Sequence, residues 1–379
     1  MCADSVEDDL RLSMEDPEIP STGAVFTFGK SKFADNAPSK FWIKNDCVVL
    51  LACGDEHTAV LTQSGRVFTF GCNEWGQLGL GHNSNVIKPS CVKVLKPDQV
   101  VAVTCGRSHT VVATRSGAVW AMGCNSEGQL GVGRGLEWVS GPRQVSGLPH
   151  HVVQLASGAS HSVALTGEGR VWVWGSNTEG QLGLGEDSEE TVFTPTELPL
   201  SDTVAQIACG YYHSALVTTE GRLLTFGEEE GGKLGLGECG QSGDTDIPRP
   251  VNMPAPVQAV SCGASHTLAL TTAGKLYSFG QSSHGQLGLG NKVLESHLPR
   301  QVSCLDQLTV QSVSCGENHS LVTTSTGHLY TFGDGRHGKL CLDLETLNNC
   351  FSPTHVDRFR GWSLVSFSPS FWWRWKKNS

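Results

Sequence analysis

One short signature recurs six times along this chain of 379 residues and limits its fold more than any other feature. It is Cys-Gly-x-x-His, at Cys53–His57, Cys105–His109, Cys209–His213, Cys262–His266 and Cys315–His319. In the copy ending at His161, Ser157 replaces the Cys. Successive histidines lie 52, 52, 52, 53 and 53 residues apart. A second signature is a pair of glycines six residues apart around an aromatic-rich alternating stretch: Gly23/Gly29, Gly65/Gly71, Gly117/Gly123, Gly169/Gly175, Gly221/Gly227, Gly274/Gly280 and Gly327/Gly333. A third is a loop of GQLGLG type at 76–81, 128–133, 180–185, 232–237 and 285–290, eroded at 338–343.

Each unit reads as four short strands. VVLLACG (48–54) and HTAVLT (57–62) are apolar and β-branched, as buried strands require. Gln63-Ser64-Gly65 is a hairpin turn, RVFTFG (66–71) alternates, and a fourth strand falls near SCVKVL (90–95). Four strands of about six residues with their loops fill such a repeat, and no helical period competes. Four-stranded units repeated radially make an all-β propeller, in which each sheet buries both faces against its neighbours.

The counts then disagree. Seven glycine-pair units stand against six Cys-Gly-x-x-His units. The unpaired GAVFTFG (23–29) belongs to a blade whose other half must come from the C-terminus, where a seventh His is expected near position 372. Residues 361–379 instead read GWSLVSFSPSFWWRWKKNS, with no His and no Cys-Gly. The expectation is a seven-bladed β-propeller over 21–360 whose closing blade is incomplete, followed by an anomalous Trp-rich ending at 361–379.

Composition narrows the function. The charge is 27 Lys+Arg against 37 Asp+Glu, or −10, and residues 1–20 hold seven acids and one base, Arg11. That opposes a main role in neutralising nucleic-acid phosphate, and the segment is expected to be an acidic, disordered arm. It lacks a signal-peptide stretch, and the chain has no apolar run long enough to span a bilayer. The 14 cysteines are therefore expected as reduced thiols in a cytoplasmic protein.

Together the repeats resemble the regulator of chromosome condensation family, seven-bladed propellers of about 50-residue units, over residues 20–360. Stretches 22–46, 53–62, 209–228 and 315–340 are most similar to the ciliary, GTPase-regulating branch of that family. The resemblance implies a non-catalytic scaffold for ciliary transport and cilium assembly, at the basal body and connecting cilium of photoreceptors. It implies three kinds of protein partner: a ciliary anchoring protein, the prenyl-binding delta subunit of phosphodiesterase, and small GTPases of the Arf-like or Rab classes. The alternative it leaves open is guanine-nucleotide exchange on a Rab. The founding member's inserted β-wedge has no room here, because the repeat length never exceeds 53.

Chemical readings of the repeats are weak. Cys-x3-His supplies two zinc ligands per blade, and the next pair is a blade away. The structural reading is a small buried Cys beside a tight Gly, with a His that hydrogen-bonds the backbone to fix the turn. Thus Cys53, His57, Cys105, His109, His161, Cys209, His213, Cys262, His266, Cys315 and His319 are expected to hold shape. Gly71, Gly123, Gly175, Gly227, Gly280 and Gly333 join them. The glycine loops lack both the βαβ setting of a dinucleotide site and the Lys-Ser/Thr of a phosphate loop, and no nucleophile elbow exists. No cofactor, metal or catalytic group is expected. Aromatics in polar loops are the candidate partner-binding residues: Phe33, Phe41, Trp42, Trp75, Trp138, Tyr211 and Tyr212.

Overall fold

The computed structural model describes residues 20–29, 39–237, 245–342, 347–359, 362–368 and 372–377. The expected Phe33, the arm at 1–19 and the ends of the tail lie outside them. Two strands come first, β1 (Ala24–Thr27) and β2 (Ser39–Phe41). Blade 1 follows as β3 (Val48–Cys53), β4 (His57–Thr62), β5 (Val67–Gly71) and β6 (Val86–Cys91), an antiparallel sheet in that order. Five more sheets repeat the pattern as blades 2 to 6, at 100–145, 152–197, 204–250, 257–301 and 310–355.

The second strand of every blade is buried along its whole length. Its two faces both meet apolar neighbours, which is why HTAVLT and its copies need no polar alternation. The outer strands need a different device, since their free edges could pair with another chain. Each carries a proline, at Pro89, Pro142, Pro195, Pro250, Pro299 and Pro353, and a residue without N–H cannot extend a ladder. The inner strands ring a central channel of about 1080 Å³. Each has a bulge after its first residue, leaving Val49, Val101, Val153, Ala205, Gln258 and Gln311 unpaired and exposed.

The chain ends correct the expected architecture. Six blades carry the full repeat. The remaining sheet is pieced from both termini in the order β2, β1, Trp372–Lys377, Trp362–Ser368. Ala24 pairs with Trp375 and Thr27 with Trp372, so the tail supplies the strands that its missing motif argued against. Backbone pairing needs an extended segment, not a Cys-Gly-x-x-His loop, and SLVSF and WWRW are β-prone. The inner strand Trp362–Ser368 packs beside those of blades 1 and 6, so the ring closes. Apolar clusters sit at the junctions accordingly. Ala24 and Phe26 of β1, with Phe28 just beyond it, pack on Leu321, Leu329 and Phe359, while Val25 packs with Val48, Val60 and Phe70 of blade 1.

Candidate interaction face

The strand directions sort the connections onto two ends of the ring. The Cys-Gly-x-x-His loops and the glycine loops gather at one end, here the loop face. The Gln-Ser-Gly type turns and the links between blades gather at the other, the turn face.

At the loop face the histidines act across blades rather than on their own turns. His57 Nε2 lies 2.8 Å from Thr110 Oγ1, in the next blade. The same contact joins His109 to Ser162 (2.9 Å), His161 to Ser214 (3.0 Å), His213 to Thr267 (2.9 Å) and His266 to Ser320 (2.9 Å). Every one of those hydroxyls donates onward to a glycine-loop carbonyl, of Gln77, Gln129, Gln181, Lys233 and Gln286, at 2.7–2.9 Å. A hydroxyl has one proton and has spent it there, so it accepts from Nε2–H. This fixes the tautomer and leaves Nδ1 of all five rings unprotonated, buried and without a partner among the described residues.

The expected backbone bond from the His side chain is thereby corrected: the backbone closes its own turn, with Gly54 N–H donating to His57 O at 2.9 Å. The imidazole is freed to tie one blade to the next. Burial holds the imidazoles unprotonated, lowering His57 to about 4 and His109, His161 and His266 to about 3, and His213 well below its ordinary value.

Two glycines explain the remaining invariables of the motif. A Cβ on Gly54 would lie 2.4 Å from His57 Cε1 and 2.2 Å from Gly106 O, so the ring and the next blade need its absence. Gly71 has φ +112°, and its Cβ would meet Glu56 O at 2.4 Å. Gly123, Gly175, Gly227, Gly280 and Gly333 repeat that geometry. The thiols bond across blades too, Cys105 Sγ to Ala52 O at 3.5 Å and Cys315 Sγ to Ser261 O at 3.2 Å. Burial pushes Cys209 and Cys315 up to about 12 and raises Cys105 and Cys262, so these are inert thiols. Cys53 lies 3.9 Å from Thr58 Oγ1 on its own blade. Among the described residues, no three His, Cys, Asp or Glu converge on a point that an ion could share.

The glycine loops are organised by residues the sequence reading did not single out. Buried Asn73 accepts from Leu78 N–H at 3.0 Å and donates to His82 O and Ser84 O, and Asn125 and Asn177 work likewise. Gln77 Oε1 accepts from Trp75 N–H at 3.0 Å. Where the loop reads GKLG, the Asn is missing and an acid one position earlier takes the lysine: buried Lys233 pairs with Glu228, and Lys339 with Asp334 at 2.6 Å. Burial would raise Asp334, but hydrogen bonds from Arg336 and Lys339 hold its carboxyl well below the usual range. The exchange of Asn with Gln, four residues apart, for acid with Lys, five residues apart, was the available signal.

The candidate partner-binding aromatics divide. Trp75 and Trp138 are 43% and 42% exposed. Gly76 packs against Ser140, its Cβ position 2.4 Å from Ser140 Cα, so both indoles flank the junction of blades 1 and 2 on the loop face. Glu127, Glu179, Glu229 and Glu230 stand in the equivalent loops of blades 2 to 4, and none of them has an ion pair among the described residues. Tyr212 is exposed at the same end, stacked edge-on with Tyr211. Tyr211 is engaged within the fold: its hydroxyl crosses the channel mouth to Asp55 Oδ1 at 2.8 Å, and Asp55 also meets Arg107 at 3.5 Å. Burial raises Asp55 against those two partners. Phe41 packs edge-on against Phe70, 5.8 Å between centroids, while Trp42 is exposed at the turn face, away from the others.

A ring of β-sheets with these cross-blade bonds has relatives. Residues 21–371 match the family described as the RCC1-like domain. The chain belongs to that family. This RCC1-like chain is 48% identical over 351 residues to the human X-linked retinitis pigmentosa GTPase regulator, and 47% over 342 residues to the mouse protein. Those matches cover 91% and 90% of the chain but 34% of each regulator, so it spans about a third of their length. Among solved structures, human WBSCR16 superposes with a TM-score of 0.80 at 24% identity, over 94% of this chain and 99% of that one, which supports the fold. Among the described residues, no helix is long and apolar enough to cross a membrane.

Proposed function

We propose that this RCC1-like ring is a non-catalytic docking platform whose loop face receives a protein partner. The observation that carries this reading is the exposure of Trp75 and Trp138, two half-exposed indoles on neighbouring blades flanking the Gly76–Ser140 contact, with acids that have no ion pair among the described residues on blades 2 to 4. Exposed aromatics at the centre of a contact, with charge at the rim, suit a partner that brings an apolar anchor and basic residues.

The relatives' name, GTPase regulator, supports a small GTPase or a protein that accompanies one. By the same likeness, we place its work in ciliary transport at the basal body and connecting cilium. Candidate partners are the ciliary anchoring protein, the prenyl-binding delta subunit and Arf-like or Rab GTPases. A second reading, exchange factor, draws on the same name.

One assay separates them. The chain is titrated into Rab and Arf-like GTPases loaded with fluorescent GDP, following both anisotropy and nucleotide release. Saturable binding with unchanged release, weakened tenfold or more by Trp75→Ala and Trp138→Ala, is expected; accelerated release selects the exchange factor. Binding indifferent to both substitutions would remove the loop face from the proposal.

A further inference from the structure

The turn face of blades 1 and 2 carries a patch that the loop-face reading leaves unused. Val49, Val94 and Val101 are 41%, 65% and 43% exposed, and Trp42, on the same face, is 37% exposed. Lys44, Lys93, Lys96 and Arg115 are exposed along the same rim, and none of the four has an ion pair among the described residues. The segments are contiguous through the backbone: Gln63 N–H donates to Cys47 O, Val100 N–H to Gly65 O, and Arg115 N–H to Gln99 O, at 2.7, 3.0 and 2.9 Å. Of the acids here, Asp46 is buried against Ser64 and Arg66, which leaves Asp98.

The chain itself holds a segment of opposite charge that enters at this end. β1 runs from the turn face to the loop face, as its partner register and its match to β5 require, so Pro20 and the Gly23 turn lie at the turn face, one sheet away from blade 1. Residues 1–19 bring seven acids against Arg11, with Leu10, Leu12, Met14 and Ile19 interspersed. Nineteen residues span up to about 60 Å when extended, enough to cross two neighbouring sheets. Tethering raises the local concentration of such a segment to the order of millimolar.

We infer that residues 1–19 dock on the turn face of blades 1 and 2, their carboxylates against Lys44, Lys93, Lys96 and Arg115 and their apolar side chains against the exposed valines. The contact covers an apolar rim that would otherwise stay wet, and it is released by salt, since exposed pairs are screened within about 8 Å at physiological ionic strength.

Zero-length carbodiimide cross-linking of the full chain tests it, with peptides read by mass spectrometry at 50 mM and 500 mM salt. Expected are bonds from Lys93, Lys96 or Lys44 to Asp4, Glu7, Asp8, Asp9, Glu15, Asp16 or Glu18, unchanged on tenfold dilution. Their yield should fall at least fivefold at high salt, and that of the links from Lys44 likewise in Lys93→Glu/Lys96→Glu, with the melting temperature of that exposed-site variant preserved. If the variant melts early, Arg115→Glu and the salt arm decide alone. The proposal is overturned by equal yields at Lys275 and Lys292, by links that form only between isotopically mixed copies, or by a yield indifferent to salt.

Discussion

Lowering the pH from 7.5 to 5.5 should destabilise this protein steeply, because its blades are joined by imidazoles that cannot accept a proton in place. In the unfolded chain a histidine titrates near 6.5. In the folded ring His57 is lowered to about 4 and His109, His161 and His266 to about 3, by burial foremost. A group whose folded value is depressed contributes stability that is present above the unfolded value. That contribution fades as pH falls through 6.5 toward the folded value, the unfolded chain taking up protons that the folded one refuses. At pH 5.5 each of the four binds about 0.9 proton on unfolding, and each loses about 1.4 kcal/mol relative to pH 7.5. Together they lose about 5 kcal/mol, with His213 acting in the same direction. A loss of that size matches the lower end of ordinary domain stability, about 5 to 15 kcal/mol. Urea unfolding followed by tryptophan fluorescence at half-unit steps gives the proton uptake from its slope against pH. His161→Gln removes one titrating ring and should reduce that uptake by about one proton. An uptake below one proton between pH 5.5 and 6.5, in the parent chain, would refute the buried neutral relay.

Thr110→Val keeps the shape but strands His57 Nε2–H and Gln77 C=O, and should cost about 1 to 3 kcal/mol in urea unfolding, while Thr326→Val at an exposed turn should cost under about 0.5 kcal/mol. Gly175→Ala forces a Cβ to 2.5 Å from Ser160 O at φ +109°, and should lower the melting temperature well beyond Gly133→Ala, which has open space around it at a similarly positive φ. Truncation before residue 362 removes the strands that pair with β1 and bridge blades 1 and 6; a melting temperature within 2 °C of the parent's, by calorimetry at about 1 °C precision, would contradict the closed ring. Tyr211→Phe should lower the pKa of no histidine yet free Asp55, giving a small loss of about 1 kcal/mol and easier entry of small solutes to the channel, read by acrylamide quenching.

Repetition made the architecture legible. The His-to-His spacing and the glycine pairs dictated four short strands per unit; in blade 1 the first three fall where expected, but the fourth is Val86–Cys91 rather than 90–95, where Lys93–Asp98 turns as a 3-10 helix. The closing sheet was misread because the tail was judged by a missing motif, whereas strand pairing demands only extended, β-prone sequence such as that around Trp362–Ser368.

The relay was half legible. The histidines stood out, but Thr110, Ser162, Ser214, Thr267 and Ser320 look like ordinary strand residues, and their role exists only once two blades touch. Tyr211 was legible only as a loop aromatic; that its hydroxyl bonds Asp55 across the channel emerges only once the ring is closed.

The imidazoles all reach forward, each to the blade that follows it in the chain, so the five bonds share one sense of circulation. A whole extra repeat spliced between blades 3 and 4 would find a matching donor behind it and a matching acceptor ahead. Splicing in half a unit would leave one imidazole facing the wrong neighbour. Growth or loss of such a ring by complete units is therefore chemically neutral at every seam except the one where the two chain ends meet.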